Sequence, residues 1–216
     1  MRQKKSRHTA SEFRRKDIIG AALACFSEIG FSETNMEDIR QRSGASMGSI
    51  YHHFRSKEQL AAEVYIEGIR VYQQELLRCL KACKDPQEAV RALISQHLVW
   101  VRDNAEWSSY LFQKRHSVFM DSAEEQIAAM NSEFGRSLMQ FFQDHIATGA
   151  IKGLPVDIMA SVVFGPCMEF TRHYLSGNVR TPIKDAAGLL GDAAWRALGP
   201  CRDSPEKAPV RKGKKS

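Results

Sequence analysis

Long apolar runs are scarce in this chain of 216 residues. The longest, Ile158 to Met168, is about half of the roughly 20 residues a membrane span needs. No membrane partner is expected. The opening MRQKKSRHTASEF is basic, and no apolar run follows it as in a secretory signal, so a cytoplasmic protein is expected. Cysteine is limited to positions 25, 79, 83, 167 and 201, an odd number mostly in apolar surroundings. That argues against a disulfide framework and fits reduced thiols. Cys79 and Cys83 stand one helical turn apart and read as two small buried hydrophobes, with a redox or metal role as the alternative. There is no Cys-x-x-Cys, no glycine-rich phosphate loop and no convincing catalytic pair. His97, His116, His145 and His173 are scattered without ligand spacing. No metal, no cofactor and no catalytic residue are expected. Alternating strand patterns and internal repeats are absent too.

What is present is globular in balance, with 43% hydrophobic and 26% charged residues. The net charge of +6 is unevenly spread. Residues 1–57 hold 11 Lys and Arg against 6 Asp and Glu, whereas residues 58–201 hold 14 against 17. Residues 202–216 return to 6 against 2. A basic end on a mildly acidic body suits a protein that meets phosphate at that end.

Nearly all of the chain reads as helix. Ile18, Ile19, Ala22, Leu23, Phe26 and Ile29 recur at three- and four-residue spacing up to Gly30. Thr34-x-x-Glu37 predicts a capping box before a short helix at roughly 35–43. Gly44 ends it, Ser46 caps a second at roughly 47–53, and the box Ser56-x-x-Gln59 opens a long helix to about Cys83. Asp85-Pro86 starts a helix to about Asn104. Others follow at roughly 106–118, 122–148, 156–176 and 184–198. Residues 1–10 read as a flexible basic arm and 201–216 as a disordered basic tail.

Two short helices joined through Gly44-Ala45-Ser46 form a helix-turn-helix. Ile39 and Ile50 are expected to pack on Phe26, leaving the second helix free to enter a DNA major groove. Ser46, Met47 and Ser49 are short or flexible, and Gly48 lets a backbone approach DNA. Tyr51, His52 and Lys57 offer donors suited to phosphates, and Thr34 and Ser56 start helices whose free N–H groups attract anions. Arg14, Arg15 and Lys16 begin the first helix, and Arg2, Lys4, Lys5 and Arg7 lie in the arm. The same stretch, Gly44 to Gly48, also matches the G-x-S-x-G elbow of serine hydrolases. That elbow needs a strand before its serine, and MEDIRQRS is helical in pattern.

Residues 14–65 resemble the N-terminal domain of the TetR family of bacterial transcriptional regulators. The residues in the family's places are Phe26, Gly30, Phe31, Thr34, Ile39, Gly44, Ser46, Gly48, Tyr51, Phe54, Lys57, Glu58 and Leu60. Arg40-Gln41 and Asn35 depart from the usual pattern. The resemblance implies an all-α homodimer: an N-terminal three-helix domain with helix-turn-helix, and a C-terminal helical ligand-binding and dimerisation domain. It implies a repressor of an inverted-repeat, double-stranded DNA operator, released by a small-molecule effector. By matching position the recognition helix is Ser46 to His53, with Tyr51, His52 and Lys57 on phosphates. The boundaries expected are 11–57 for the DNA-binding domain, continuing into the linking helix 57–83, and 66–200 for the effector and dimerisation domain. An activator, or a regulator controlled by a partner protein, is the alternative.

In the second part, large side chains divide between core and effector pocket. Trp100, Trp107, Tyr110, Phe134, Phe164 and Met168 are the pocket candidates. Gly165-Pro166 predicts a kink in the helix at 156–176. The last helix carries Leu189, Leu190, Ala193, Ala194 and Ala197. These two helices are the expected dimer surface.

Overall fold

The computed structural model describes residues 2–114 and 123–200. His116, Cys201 and the basic tail 201–216, all singled out in the sequence, lie outside the described residues. Within them the chain is helical throughout: α1 Arg2–Glu28, α2 Met36–Ser43, α3 Met47–His53, α4 Lys57–Ala82, α5 Pro86–Asp103, α6 Ala105–Lys114, α7 Glu124–Ala147, α8 Val156–Leu175 and α9 Ile183–Leu198. No strand occurs among the described residues.

Local chemistry explains most boundaries. Gly44 closes α2 with φ 63°, a left-handed conformation that costs glycine little. Ser46 caps α3, its hydroxyl accepting from the Ser49 amide at 3.2 Å. Asp85 caps α5 through the Glu88 amide at 2.9 Å, with Pro86 in the first turn, where its missing N–H breaks no helical bond. α8 runs through Pro166 as one helix.

Three expectations are corrected. α1 begins at Arg2, so its backbone includes the segment expected to be a flexible arm. That segment holds Arg, Gln and Lys, good helix formers, and neither Gly nor Pro to stop the helix. The capping box of α2 belongs to Asn35 and Asp38, not to Thr34 and Glu37. The Asn35 amide oxygen accepts from Glu37 and Asp38, and Asp38 accepts from the Asn35 amide at 2.8 Å. At α4 Ser56 caps Gln59, but the Gln59 side chain accepts from the Arg55 amide at 2.7 Å, one residue earlier than a capping box requires.

Two main apolar clusters hold the chain. The first joins α1, α2, α3 and the N-terminal half of α4 through Ile18, Phe26, Ile39, Ile50, Phe54 and Leu60, and takes in Tyr110 from α6. The second joins the rest of α4 to α5, α7, α8 and α9 through Leu76, Leu93, Phe142, Val163 and Leu198. Buried Ala186, Ala187, Gly191 and Ala194 line the inner side of α9. α9 lies close along α5, where a Cβ at Gly191 would stand 3.2 Å from Arg91 Cγ.

Candidate nucleic-acid interface

Ile39 and Ile50 are both fully buried beside Phe26. They fix α2 against α3 and turn the opposite side of α3 to solvent. Ser46, Gly48, Tyr51 and His52 are exposed there, and Met47 and Ser49 are half-buried. Tyr51 keeps 49% of its surface, a large exposed ring on a short helix. Burial, followed by the neighbouring charges of His52 and Arg15, lowers the proton affinity of His53. The Ser46 hydroxyl is committed to capping, and a helix precedes it where a nucleophile elbow needs a strand.

Two residues chosen from the sequence as DNA contacts have other partners. Thr34 is 1% exposed, and its hydroxyl donates to the Gly30 carbonyl at 2.7 Å and the Cys25 carbonyl at 3.2 Å. It ties the turn after α1 back to Cys25 in that helix's last turn, sharing carbonyls that also accept from the Ile29 and Thr34 amides at 2.9 and 3.1 Å. The Lys57 ammonium donates to the carbonyls of Phe31, Ser32 and Thr34 at 2.8, 3.2 and 2.8 Å. An ammonium has three hydrogens. All three are engaged by the turn, so Lys57 pins the start of α4 to the segment between α1 and α2.

The cations around the reader were only partly legible in the sequence. Arg15 pairs with Glu63 of α4, and its guanidinium lies 5.7 Å from the Phe54 ring centre. Arg42 binds Glu28 through two nitrogens, one at 2.7 Å, joining α2 to α1. Arg40 forks onto Glu37 at 2.6 and 2.7 Å, and Gln41 joins at 3.2 Å. The bond from Arg40, then that from Gln41, holds the Glu37 carboxyl down at about 2. The Glu37–Arg40 spacing of three is readable in a helix. The pairs Arg15–Glu63 and Arg42–Glu28 span 48 and 14 residues and carry no local signal.

Four of the pocket candidates pack in or against the two clusters, Trp107 and Tyr110 at the first and Phe134 and Phe164 at the second. Trp107 and Tyr110 stand at the junction with the N-terminal domain. Tyr110 stacks on Phe26 with centroids 6.0 Å apart and donates to the Ala61 carbonyl at 2.9 Å. Trp107 fills the space above Gly68, where an added Cβ would lie 2.7 Å from its Cε3. Met168 is exposed on α8. Phe134 and Phe164 pack on the second cluster, Trp100 reaches it through the Tyr72 ring, and beside them lies a residue dismissed in the sequence, His97. Its ring is 2% exposed, with Nδ1 2.7 Å from the Tyr72 hydroxyl and Nε2 3.0 Å from Thr171 Oγ1. Burial lowers its proton affinity to about 4, against the opposing effect of a hydrogen bond to the Cys167 backbone. Its value as a signal was lost because Tyr72 and Thr171 lie 25 and 74 residues away.

Among the described residues no group of three His, Cys, Asp or Glu side chains stands ready to hold a metal ion. No described helix is long and apolar enough to cross a membrane. Cys25, Cys83 and Cys167 are buried free thiols, and Cys79 is half-buried.

The geometry defines an all-helical protein with a helix-turn-helix reader at one end and a larger helical domain behind it. Residues 18–64 match the family model for bacterial regulatory proteins of the tetR family, and over that stretch the chain is similar to its members. It is 37% identical over 83 residues to the HTH-type transcriptional regulator LmrA of Bacillus subtilis, a stretch covering 38% of this chain and 44% of that protein. Thus the chain matches less than half the length of that relative. The transcriptional repressor KstR2 of Mycolicibacterium smegmatis is 23% identical over 167 residues, covering 76% of this chain and 81% of its own. The crystal structure of FadR from Bacillus subtilis in complex with stearoyl-CoA superposes with a TM-score of 0.71 at 18% identity. It covers 83% of this chain and 96% of that one, a likeness of fold.

Proposed function

We propose that the protein is a transcriptional repressor that binds an inverted-repeat operator as a homodimer and leaves it when a small molecule enters the C-terminal domain. The observation that carries this is the exposed face of α3, held out from a rigid core by Ile39 and Ile50. Ser46, Met47, Gly48 and Ser49 meet the major groove, and Tyr51 and His52 hold the flanking phosphates. Thr34 and Lys57 shape the reader without touching DNA.

Dimerisation is supported by apolar side chains left on the outer surfaces of α8 and α9. Val156, Ile158, Met168 and Leu189 are all exposed there, Leu189 at 66%. A two-fold protein suits a two-fold operator with half-sites about one helical turn, roughly 34–36 Å, apart. Ligand release is supported by the aromatic locus around His97 and by the shared fold with a regulator crystallised with stearoyl-CoA. α4 carries the response, since it contributes to both apolar clusters. The effector must favour the state unable to bind DNA, since equal affinity for both states shifts nothing.

The test is footprinting of the purified protein on DNA upstream of its own gene and on genomic fragments selected by binding, at physiological salt with excess non-specific DNA. A protected inverted repeat is expected. Selected fragments with no shared repeat would overturn the reading.

A further inference from the structure

Tyr72, His97 and Thr171 come from α4, α5 and α8 and form a continuous polar chain inside an apolar cluster. Thr171 and His97 are buried. Burial also raises the pKa of the Tyr72 hydroxyl. Aromatic rings surround the chain. Trp100 stands edge-on to Tyr72 at 5.1 Å between centroids, Phe164 meets His97 at 6.4 Å, and Phe134 meets Phe164 at 6.4 Å. Tyr72, Phe134 and Phe164 nevertheless keep part of their surface accessible. Partly accessible apolar rings around a few polar groups are the lining that a ligand site uses.

The centre is chemically selective. Every group in the chain is neutral and can either donate or accept. With the imidazole proton on Nε2, Tyr72 donates to Nδ1 and Nε2 donates to Thr171; with the other tautomer both directions reverse. The proton affinities of His97 and Tyr72 are set by burial and by Cys167, with no Asp, Glu, Lys or Arg among the causes. A carboxylate or ammonium placed there would lose its hydration with no counter-charge to replace it. An uncharged hydroxyl or carbonyl loses only a hydrogen bond, which Nδ1 can restore.

Building on the effector reading above, we infer that this locus binds an uncharged, largely apolar ring compound through one hydroxyl or carbonyl, which takes the place of the Tyr72 hydroxyl on His97 Nδ1. The ring system packs against Phe134 and Phe164, whose rings already touch. Tyr72 is the outlet of the signal, because it sits on α4, whose first half is packed into the reader. When its hydroxyl is displaced, α4 loses its hydrogen bond to α5. His97 is the recognition group and Tyr72 the transmitting group.

The test uses the full chain at pH 7 and three probes of one shape: 2-naphthol, 2-naphthoate and 2-naphthylmethylammonium. Binding is measured by calorimetry, and affinity for the footprinted DNA is measured with and without each probe. Naphthol is expected to bind at least about tenfold more tightly than either ion and to weaken DNA binding. His97→Leu is expected to lose that preference. Tyr72→Phe removes a single oxygen and preserves the ring, which guards against a folding artefact. It is expected to bind naphthol at least as well as the parent, while DNA affinity no longer responds. Equal binding of all three probes, binding of none, or parental naphthol binding by folded His97→Leu overturns the inference. Any of these with operator binding intact leaves the repressor reading standing, whereas loss of specific operator binding by the unliganded protein sinks that reading instead.

Discussion

The ammonium of Lys57 lies 2.8 Å from the carbonyl oxygen of Phe31 and 4.6 Å from the centre of the same residue's ring. One side chain thus engages both the backbone and the aromatic face of a single turn residue, and the pairing joins α4 to the turn after α1. A cation on a ring face adds about 0.5–2 kcal/mol to such a contact, depending on desolvation.

Lys57→Met keeps the aliphatic stem and removes the donors. It is expected to lower unfolding stability by about 1–3 kcal/mol, the usual range for carbonyls that lose a charged donor. The salt dependence of DNA binding should stay at the parental log–log slope. A slope reduced by about one unit would place Lys57 on a phosphate after all.

Tyr51→Ala should weaken binding to specific and non-specific DNA alike, by about fivefold or ~1 kcal/mol for one hydrogen bond. Competition titrations with operator and scrambled duplexes measure both. A loss confined to the operator would move Tyr51 from phosphate to base contact.

His97 makes stability depend on acidity. The unfolded imidazole takes up a proton around its ordinary 6.5, whereas the folded one resists until about 4. Between those values the unfolded chain binds more protons, so stability falls as pH falls, and the contribution is lost by about pH 4. The full loss is about 3 kcal/mol at ~1.4 kcal/mol per unit. Urea unfolding of the parent and of His97→Leu from pH 7 to pH 4 measures it. The difference between their stabilities should change by roughly that amount, and parallel curves would contradict a buried neutral His97.

Gly68→Ala places a methyl 2.7 Å from Trp107 Cε3. The ring has to shift, at a cost of about 1–3 kcal/mol for overpacking. A changed tryptophan emission and a lower unfolding midpoint are expected. Parental values for both would mean that Trp107 does not rest on Gly68.

The frame of the reader was legible because its determinants are local. Gly44 needs its left-handed turn, Ser46 caps three residues onward, and Ile39 and Ile50 face inward by helical period. The intramolecular partners of Thr34 and Lys57 were not legible for the opposite reason. Their residue types suit phosphate, and only the folded turn shows that Cys25, Gly30, Phe31, Ser32 and Thr34 itself supply the acceptors. The aromatic residues of the second domain were recognised as a set but not as two sets. Tyr110 and Trp107 share composition with Trp100 and Phe164, and only packing assigns the first pair to the reader and the second to His97.

The first apolar cluster does not stop where the reader's helices stop. Phe26 rests on Tyr110, and Tyr110 is bonded to the backbone of Ala61, so α6 belongs to the reader's foundation although it lies about 50 residues further along the chain. This limits modular exchange. A hybrid gene joining the first 57 residues to a foreign sensor would present Phe26 to an unrelated surface, and its product would inherit a DNA address on a loosened mount. Recombination that transplants specificity intact must carry α6 as well, or meet a recipient that already offers an aromatic ring at that place.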